Sequence, residues 1–174
     1  GTLGAAIAAS KIMKLPQEEV ANTLGIAANY AAGLVEREFH PTRGGDTVRL
    51  DGAIAAHSGI LSTLLAREGF TAVETQIEGD SGFLKAFSDE IHLKKITNKL
   101  GKEVRRSIFK PYPSCALVHS SIEATIKLLK KHRIRPNEVK EVQVFVGPET
   151  VRIAAKYEPL DVTSAQFSIP FNIA

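Results

Sequence analysis

The chain has 174 residues with a hydrophobic fraction of 44%, enough to fill a packed core and too apolar for a disordered segment. Its formal net charge is +3, with the basic residues scattered among acids, which excludes the concentrated basic face of a nucleic-acid binder. One cysteine rules out an internal disulfide, no apolar run could cross a bilayer and no charged-then-apolar leader opens the chain, so a soluble cytoplasmic protein is expected.

Residues Thr2 to Leu15 are alanine-rich and read as a helix already under way, without a start signal. Pro16 then stands at a first-turn position, followed by Gln17, Glu18 and Glu19, which complement a helix dipole. Val20, Leu24, Ala27, Ala31 and Leu34 share one face, predicting a second helix from about Pro16 to Val35. Its small residues suit close approach by a neighbouring helix. Glu36 to Asp46 breaks the pattern with Pro41, Gly44 and Gly45 and reads as a surface loop with His40, Arg43 and Asp46 solvated.

Leu50 to Glu68 predicts a third helix, with Ile54, Leu61 and Leu65 on one face and Gly69 as its stop. His57 lies one turn from both Ile54 and Leu61, so a satisfied, partly buried histidine is expected there. A short helix is predicted around Gly82 to Ser88. Beyond it, Ser88 to Gly101 is polar and lysine-rich, and a domain boundary is placed near residue 90.

The stretch Phe109-Lys110-Pro111-Tyr112-Pro113-Ser114-Cys115 follows a basic, weakly β-like run from Val104. Its prolines push Lys110 and Tyr112 toward extended geometry. Ser114 stands where an N-cap hydroxyl belongs, ahead of Val118, Ile122, Ile126 and Leu129 at helical spacing. A stiff arm thus presents a lysine beside a helix N-terminus, an arrangement suited to an anion. The competing reading is a proline-stiffened connection whose lysine is solvated. Farther on, Val142, Val144 and Val146 alternate with Glu141, Gln143 and Phe145, predicting a strand that Gly147-Pro148 ends. Thr163 or Ser164 is expected to cap a final helix running to Ala174. No group of Cys, His, Asp and Glu has metal-ligand spacing and no phosphate loop is present, so neither metal nor cofactor is expected.

The arm also carries a resemblance. Lys110-Pro111-Tyr112-Pro113-Ser114-Cys115, with His119 four residues on, then a helix and a valine-rich stretch, resembles the MmgE/PrpD family. The likeness covers nearly the whole chain, through Gly69-Phe70-Thr71 and Gly82-Phe83-Leu84, and ends in Ala165-Gln166-Phe167-Ser168-Ile169-Pro170-Phe171. That family includes 2-methylcitrate dehydratases, cis-aconitate decarboxylases and iminodisuccinate epimerases. The resemblance implies a mainly α fold followed by α+β: the C-terminal part of an all-helical domain over 1–90, then the start of a smaller α+β domain over 91–174. It also implies that the chain is an internal piece of a longer, homodimeric protein whose site draws residues from two domains.

Carried over residue by residue, the resemblance makes Lys110 the site lysine and His119 the histidine that follows the motif. Ser114, Arg49 and Phe171 would serve substrate binding. Val48 stands where the family's other site lysine is expected and Asp51 where its histidine stands, with Arg49 one residue out of register. Phe171 replaces a tyrosine and has no proton to donate. Cys115, in the first turn with no base beside it in sequence, reads as packing. The family's chemistry develops charge next to a carboxylate, which positioned cations and amide donors stabilise. The leading expectation is a lyase of the 2-methylcitrate dehydratase type acting on a small di- or tricarboxylate. An isomerase or epimerase of the same family is the alternative, and a carboxylate-binding relative without catalysis is the reading from another class.

Overall fold

The computed structural model describes residues 1–98 and 100–174, and among them every regular element is helical. In chain order these are α1 (Thr2–Ile12), α2 (Gln17–Tyr30), α3 (Glu36–Phe39), α4 (Leu50–Arg67), α5 (Phe83–Phe87), α6 (Leu93–Ile96), α7 (Ala116–His132), α8 (Pro148–Ala154), α9 (Val162–Gln166) and α10 (Ile169–Ile173). The chain divides into two compact units: residues 1–33 with 49–107, and residues 34–48 with 108–174.

In the first unit α1, α2 and α4 pack against one another. The third helix forms where its periodicity places it, and Gly69 follows it with φ +88°, in the left-handed region. The buried face of α4 is a different one from that expected. Ser58, Gly59, Ser62, Thr63 and Ala66 are buried, while Ile54 is 55% exposed and His57 lies in solvent. The reason is close approach. A Cβ on Gly59 would lie 2.7 Å from both the Ala6 nitrogen and the Thr2 oxygen of α1, so only small residues fit along the contact. Two α4 hydroxyls there have acceptors within the helix: Ser62 Oγ donates to the Ser58 carbonyl (2.7 Å), and Thr63 Oγ1 lies 3.0 Å from the Gly59 oxygen. The buried face of α2 also differs, with Thr23, Gly25, Ile26, Ala27 and Ala28 buried and Leu34 left 86% exposed beyond the helix end; a Cβ on Gly25 would lie 2.4 Å from the Ala72 Cβ.

A test follows at Gly59. Alanine gains about 1 kcal/mol of helix propensity over glycine, but overpacking against backbone costs about 1–3 kcal/mol. The opposing atoms are a backbone nitrogen and oxygen, which cannot rotate away. Gly59→Ala is therefore expected to lower stability by about 1 kcal/mol, read as a lower urea midpoint at unchanged slope. A raised midpoint would show that α1 and α4 approach less closely.

The second unit is built around Val118 and Ile122 of α7, Ala154 of α8 and Ile169 of α10, with Tyr112, Ile126, Val146 and Ile173 packed on them. The mainly α part of the expected fold class is present; the α+β part is not shown. Residues 139–147 carry no helix and no strand. The alternation is nonetheless expressed, since Val142, Val144 and Val146 all border one apolar hollow of about 340 Å³ while Phe145 is 92% exposed. A ladder needs a neighbouring strand to bond with, and none is present among the described residues.

Three further expectations are corrected. Gly147-Pro148 opens α8 as well as closing the stretch before it, because Pro148 occupies the first helical position, where its missing N–H is no loss. The single final helix is two short ones. Asp161 caps α9 through the Ser164 N–H, and Ser168 caps α10 by accepting from the Phe171 N–H at 3.0 Å. The segment expected as loop from Glu36 to Asp46 contains α3 and is tied to the C-terminal part of the unit, with the Leu160 N–H donating to the Thr42 carbonyl (2.8 Å).

Candidate functional site

The site is built on the arm from Lys110 to Cys115 and the first two turns of α7. Pro111 and Pro113 stiffen the arm, and it is fastened at both ends of the Pro113-Ser114-Cys115 turn. Gln166 Nε2 donates to the Pro113 carbonyl (2.9 Å), and the Cys115 N–H donates to the Gln166 carbonyl (2.8 Å). With Cys115 at φ −60°, ψ 137°, the helix starts at Ala116, and Cys115 holds the N-cap place expected for Ser114. The Cys115 side chain is partly buried.

Three of the five expected site residues meet here. Lys110 Nζ donates to the Ser114 carbonyl at 3.2 Å, and His119 Nε2 lies 3.2 Å from the same oxygen. A carbonyl oxygen only accepts, so the contact requires the proton on Nε2; in the neutral ring Nδ1 is then the basic nitrogen. A primary ammonium and an imidazole N–H thus converge on one oxygen. That is the donor pair a carboxylate or enolate oxygen would use.

Ser114 itself is 7% exposed, and its buried hydroxyl has no hydrogen-bond partner among the described residues. Such a group costs about 1–3 kcal/mol of desolvation when left unsatisfied. Ser114→Ala is therefore expected to raise stability by about 1 kcal/mol, measured as an increased denaturation midpoint.

The other two residues lie elsewhere. Phe171 is on α10 and is 60% exposed. Arg49 closes a short 3₁₀ turn, Thr47–Arg49, and stands at the N-cap position of α4 in the first unit. Asp51 lies in the first turn of α4, an acid where the dipole favours one.

Two groups of the second unit were not anticipated from the sequence. Tyr112 Oη donates to Glu123 Oε2 at 2.7 Å, and its ring meets the His119 imidazole edge-on, with centroids 5.4 Å apart at 80°. The Tyr112 hydrogen bond, with Lys127 beside it at 3.1 Å, holds the Glu123 carboxyl below its usual range, and the same bond raises the Tyr112 phenol. The available clue was the i, i+4 spacing of His119 and Glu123, which puts both on one helix face.

The second group is a buried tie. Lys156, 3% exposed, donates from Nζ to the His40 carbonyl, and burial pushes its ammonium below the usual lysine range against the opposing pull of Asp161 and Glu38. His40 Nδ1 in turn accepts the Arg43 N–H at 3.0 Å. These contacts fix the loop over 40–45 rather than forming a second donor pair.

Among the described residues no group of three or more His, Cys, Asp or Glu is placed to hold a metal ion, and no helix is long and apolar enough to cross a membrane.

Comparison with known proteins adds two matches to family models. Residues 1–95 match the MmgE/PrpD N-terminal domain, and residues 112–174 match the MmgE/PrpD C-terminal domain. Among curated proteins, the chain is 30% identical over 141 residues to a cis-aconitate decarboxylase of Aspergillus terreus (strain NIH 2624 / FGSC A1156), covering 76% of this chain and 28% of that protein. It is 28% identical over 144 residues to the cis-aconitate decarboxylase-like protein oryM of Aspergillus oryzae (strain ATCC 42149 / RIB 40), again covering 76% of this chain and 28% of the relative. The chain therefore spans little more than a quarter of the length of these relatives.

Proposed function

The chain belongs to the MmgE/PrpD family, and from that premise we propose that it forms part of an enzyme, a lyase, acting on a small di- or tricarboxylate. The observation that carries the reading is the convergence of Lys110 Nζ and His119 Nε2 on one oxygen. In this reading a substrate carboxylate takes the place of the Ser114 carbonyl as acceptor. Charge that develops on it as an α-proton is removed, or as carbon dioxide departs and leaves its bonding pair behind, is held by the ammonium and the imidazole N–H. Ser114 supplies a further hydroxyl at the same turn, and Arg49 and Phe171 are proposed to contribute to substrate binding.

Within the lyase class two reactions are to be separated: dehydration of a 2-methylcitrate-like substrate, and decarboxylation of the kind named in the relatives from Aspergillus. Incubation of the full-length protein with 2-methylcitrate and with cis-aconitate, following water loss by product absorbance and carbon dioxide release separately, distinguishes them. An isomerase or epimerase would show neither signal and would instead exchange the α-proton with deuterium from solvent. Silence in all three assays would overturn the enzyme reading. It would then favour a carboxylate-binding relative, the reading supported by Val48, Asp51 and Phe171 at the places where the family resemblance expects other side chains. Ser114→Ala adds a discriminating measurement: stability up with kcat/KM down marks a hydroxyl kept for substrate. The protein is further proposed to act in the cytoplasm as a homodimer, tested by sedimentation of the full-length protein.

A further inference from the structure

The arm and α7 are joined by a contact the proposed chemistry does not itself use. The ring of Tyr112 packs on the cluster of Val118, Ile122, Ala154 and Ile169, so the core sets its position. Its edge-on contact with the His119 imidazole restricts that ring, and its hydroxyl closes a 2.7 Å hydrogen bond on Glu123, one turn beyond His119. Lys127 holds the other Glu123 oxygen at 3.1 Å. Lys110 lies two residues before Tyr112, separated from it only by Pro111. Whatever fixes Tyr112 therefore fixes where the Lys110 side chain leaves the backbone.

We propose that Tyr112 and Glu123 are positioning residues: their hydrogen bond latches the Lys110 arm across the first two turns of α7 and keeps His119 turned, as the Nε2–H tautomer, toward the oxygen it shares with Lys110. The role within catalysis rests on the carboxylate-enzyme reading given above; the latch itself does not. The physical requirement is geometric. Donor pairs act on developing charge only when both are held at hydrogen-bond distance from one point, and a displacement of about 1 Å costs up to about 10²-fold in rate. A flexible lysine on a free arm and an imidazole able to flip would meet there only part of the time.

The test uses the full-length protein labelled with ¹⁵N-histidine, the His119 signals being identified by their loss in His119→Asn. The parent is expected to show His119 as the Nε2–H tautomer. Tyr112→Phe keeps the packed ring and removes only the hydroxyl; it is expected to give mixed tautomers and a fall in kcat/KM of about tenfold, carried by kcat. Glu123→Ala is expected to match it, and Glu123→Gln, whose amide oxygen still accepts from Tyr112, to restore both readouts. Parental tautomer and parental turnover in Tyr112→Phe would overturn the proposal. So would a Glu123→Gln variant no better than Glu123→Ala. Lys110→Ala run in parallel separates the two levels. If it turns over at the parental rate the function reading fails, while the tautomer spectra still decide for or against the latch. If Glu123→Ala does not fold, the comparison of Tyr112→Phe with Glu123→Gln carries the test alone.

Discussion

Replacing Lys110 with alanine in the full-length protein is expected to cut kcat/KM on a small carboxylate by about 10²–10³, or about 3–4 kcal/mol of transition-state stabilisation. The denaturation midpoint should hold. In this chain Lys110 is exposed and donates to the Ser114 carbonyl at 3.2 Å, so the folded state loses no more than about 0.5 kcal/mol with it. The asymmetry between the two effects is the content of the prediction. An ammonium in open water interacts weakly with a carboxylate, because solvent screens both; sealed beside a reacting carboxylate, the same ammonium is worth several times more. Lys110→Arg separates charge from geometry. It keeps the cation but replaces a compact point donor with a planar fork on a longer stem, and should recover only part of the lost rate. A loss in Lys110→Ala of less than about threefold, below 1 kcal/mol, would leave a solvated lysine as the better description. A fall in the denaturation midpoint of the same size as the fall in rate would make it structural.

What could be read from the sequence divides along a physical line. In the first unit α1, α2 and α4 begin within one residue of their expected starts and α4 ends within one residue of its expected limit, while α2 stops at Tyr30, five residues short of Val35. The buried faces did not follow, because the hydrophobic pattern assumes that large apolar side chains mark the core. On the buried face of α4 the core is made of small or polar residues, Ser62, Thr63 and Gly59, and Gly59 faces an α1 backbone close enough to forbid a Cβ. The site divides in the same way. Lys110, Ser114 and His119 lie within ten residues of one another, and stiff local backbone brings them together. Tyr112 and Glu123 also sit on this segment, but their pairing depends on how the arm folds back over α7, which spacing alone does not give. Asp161 was missed entirely. Its partners Gly44 and Gly45 lie on a loop more than a hundred residues away, and no local pattern announces a bond of that range.

That carboxylate carries the second large effect. Asp161 Oδ1 accepts the Ser164 N–H at 2.7 Å, capping α9, while Oδ2 accepts the N–H groups of Gly44 and Gly45 at 3.0 and 3.1 Å. Gly44 is the residue the contact demands, since a Cβ there would lie 2.4 Å from Thr163 Cγ2. Asp161→Ala removes three charge-assisted hydrogen bonds at once and leaves their donors to find water. Hydrogen bonds to a charged group contribute about 1.5–3 kcal/mol each when well buried. Asp161 is only partly buried, so water recovers some of that, and a total loss of about 2–3 kcal/mol is expected, more than a helix cap alone contributes. Asp161→Asn keeps one carbonyl oxygen for the cap but turns an amide toward the loop, and should fall between parent and alanine. The pH dependence has a definite sign. The Ser164 N–H first, and then those of Gly45 and Gly44, hold the Asp161 carboxyl well below the usual carboxylate range. A group depressed on folding contributes its full stability above its unfolded value, about 3.9, and loses that contribution as pH falls toward its folded one. Parent and Asp161→Ala should therefore differ most at neutral pH and converge in acid, below about pH 4. Urea melts of both proteins at pH 7 and at pH 3 measure it. A constant difference across that range would mean that the ionised carboxylate is not what joins the loop over 44–45 to α9.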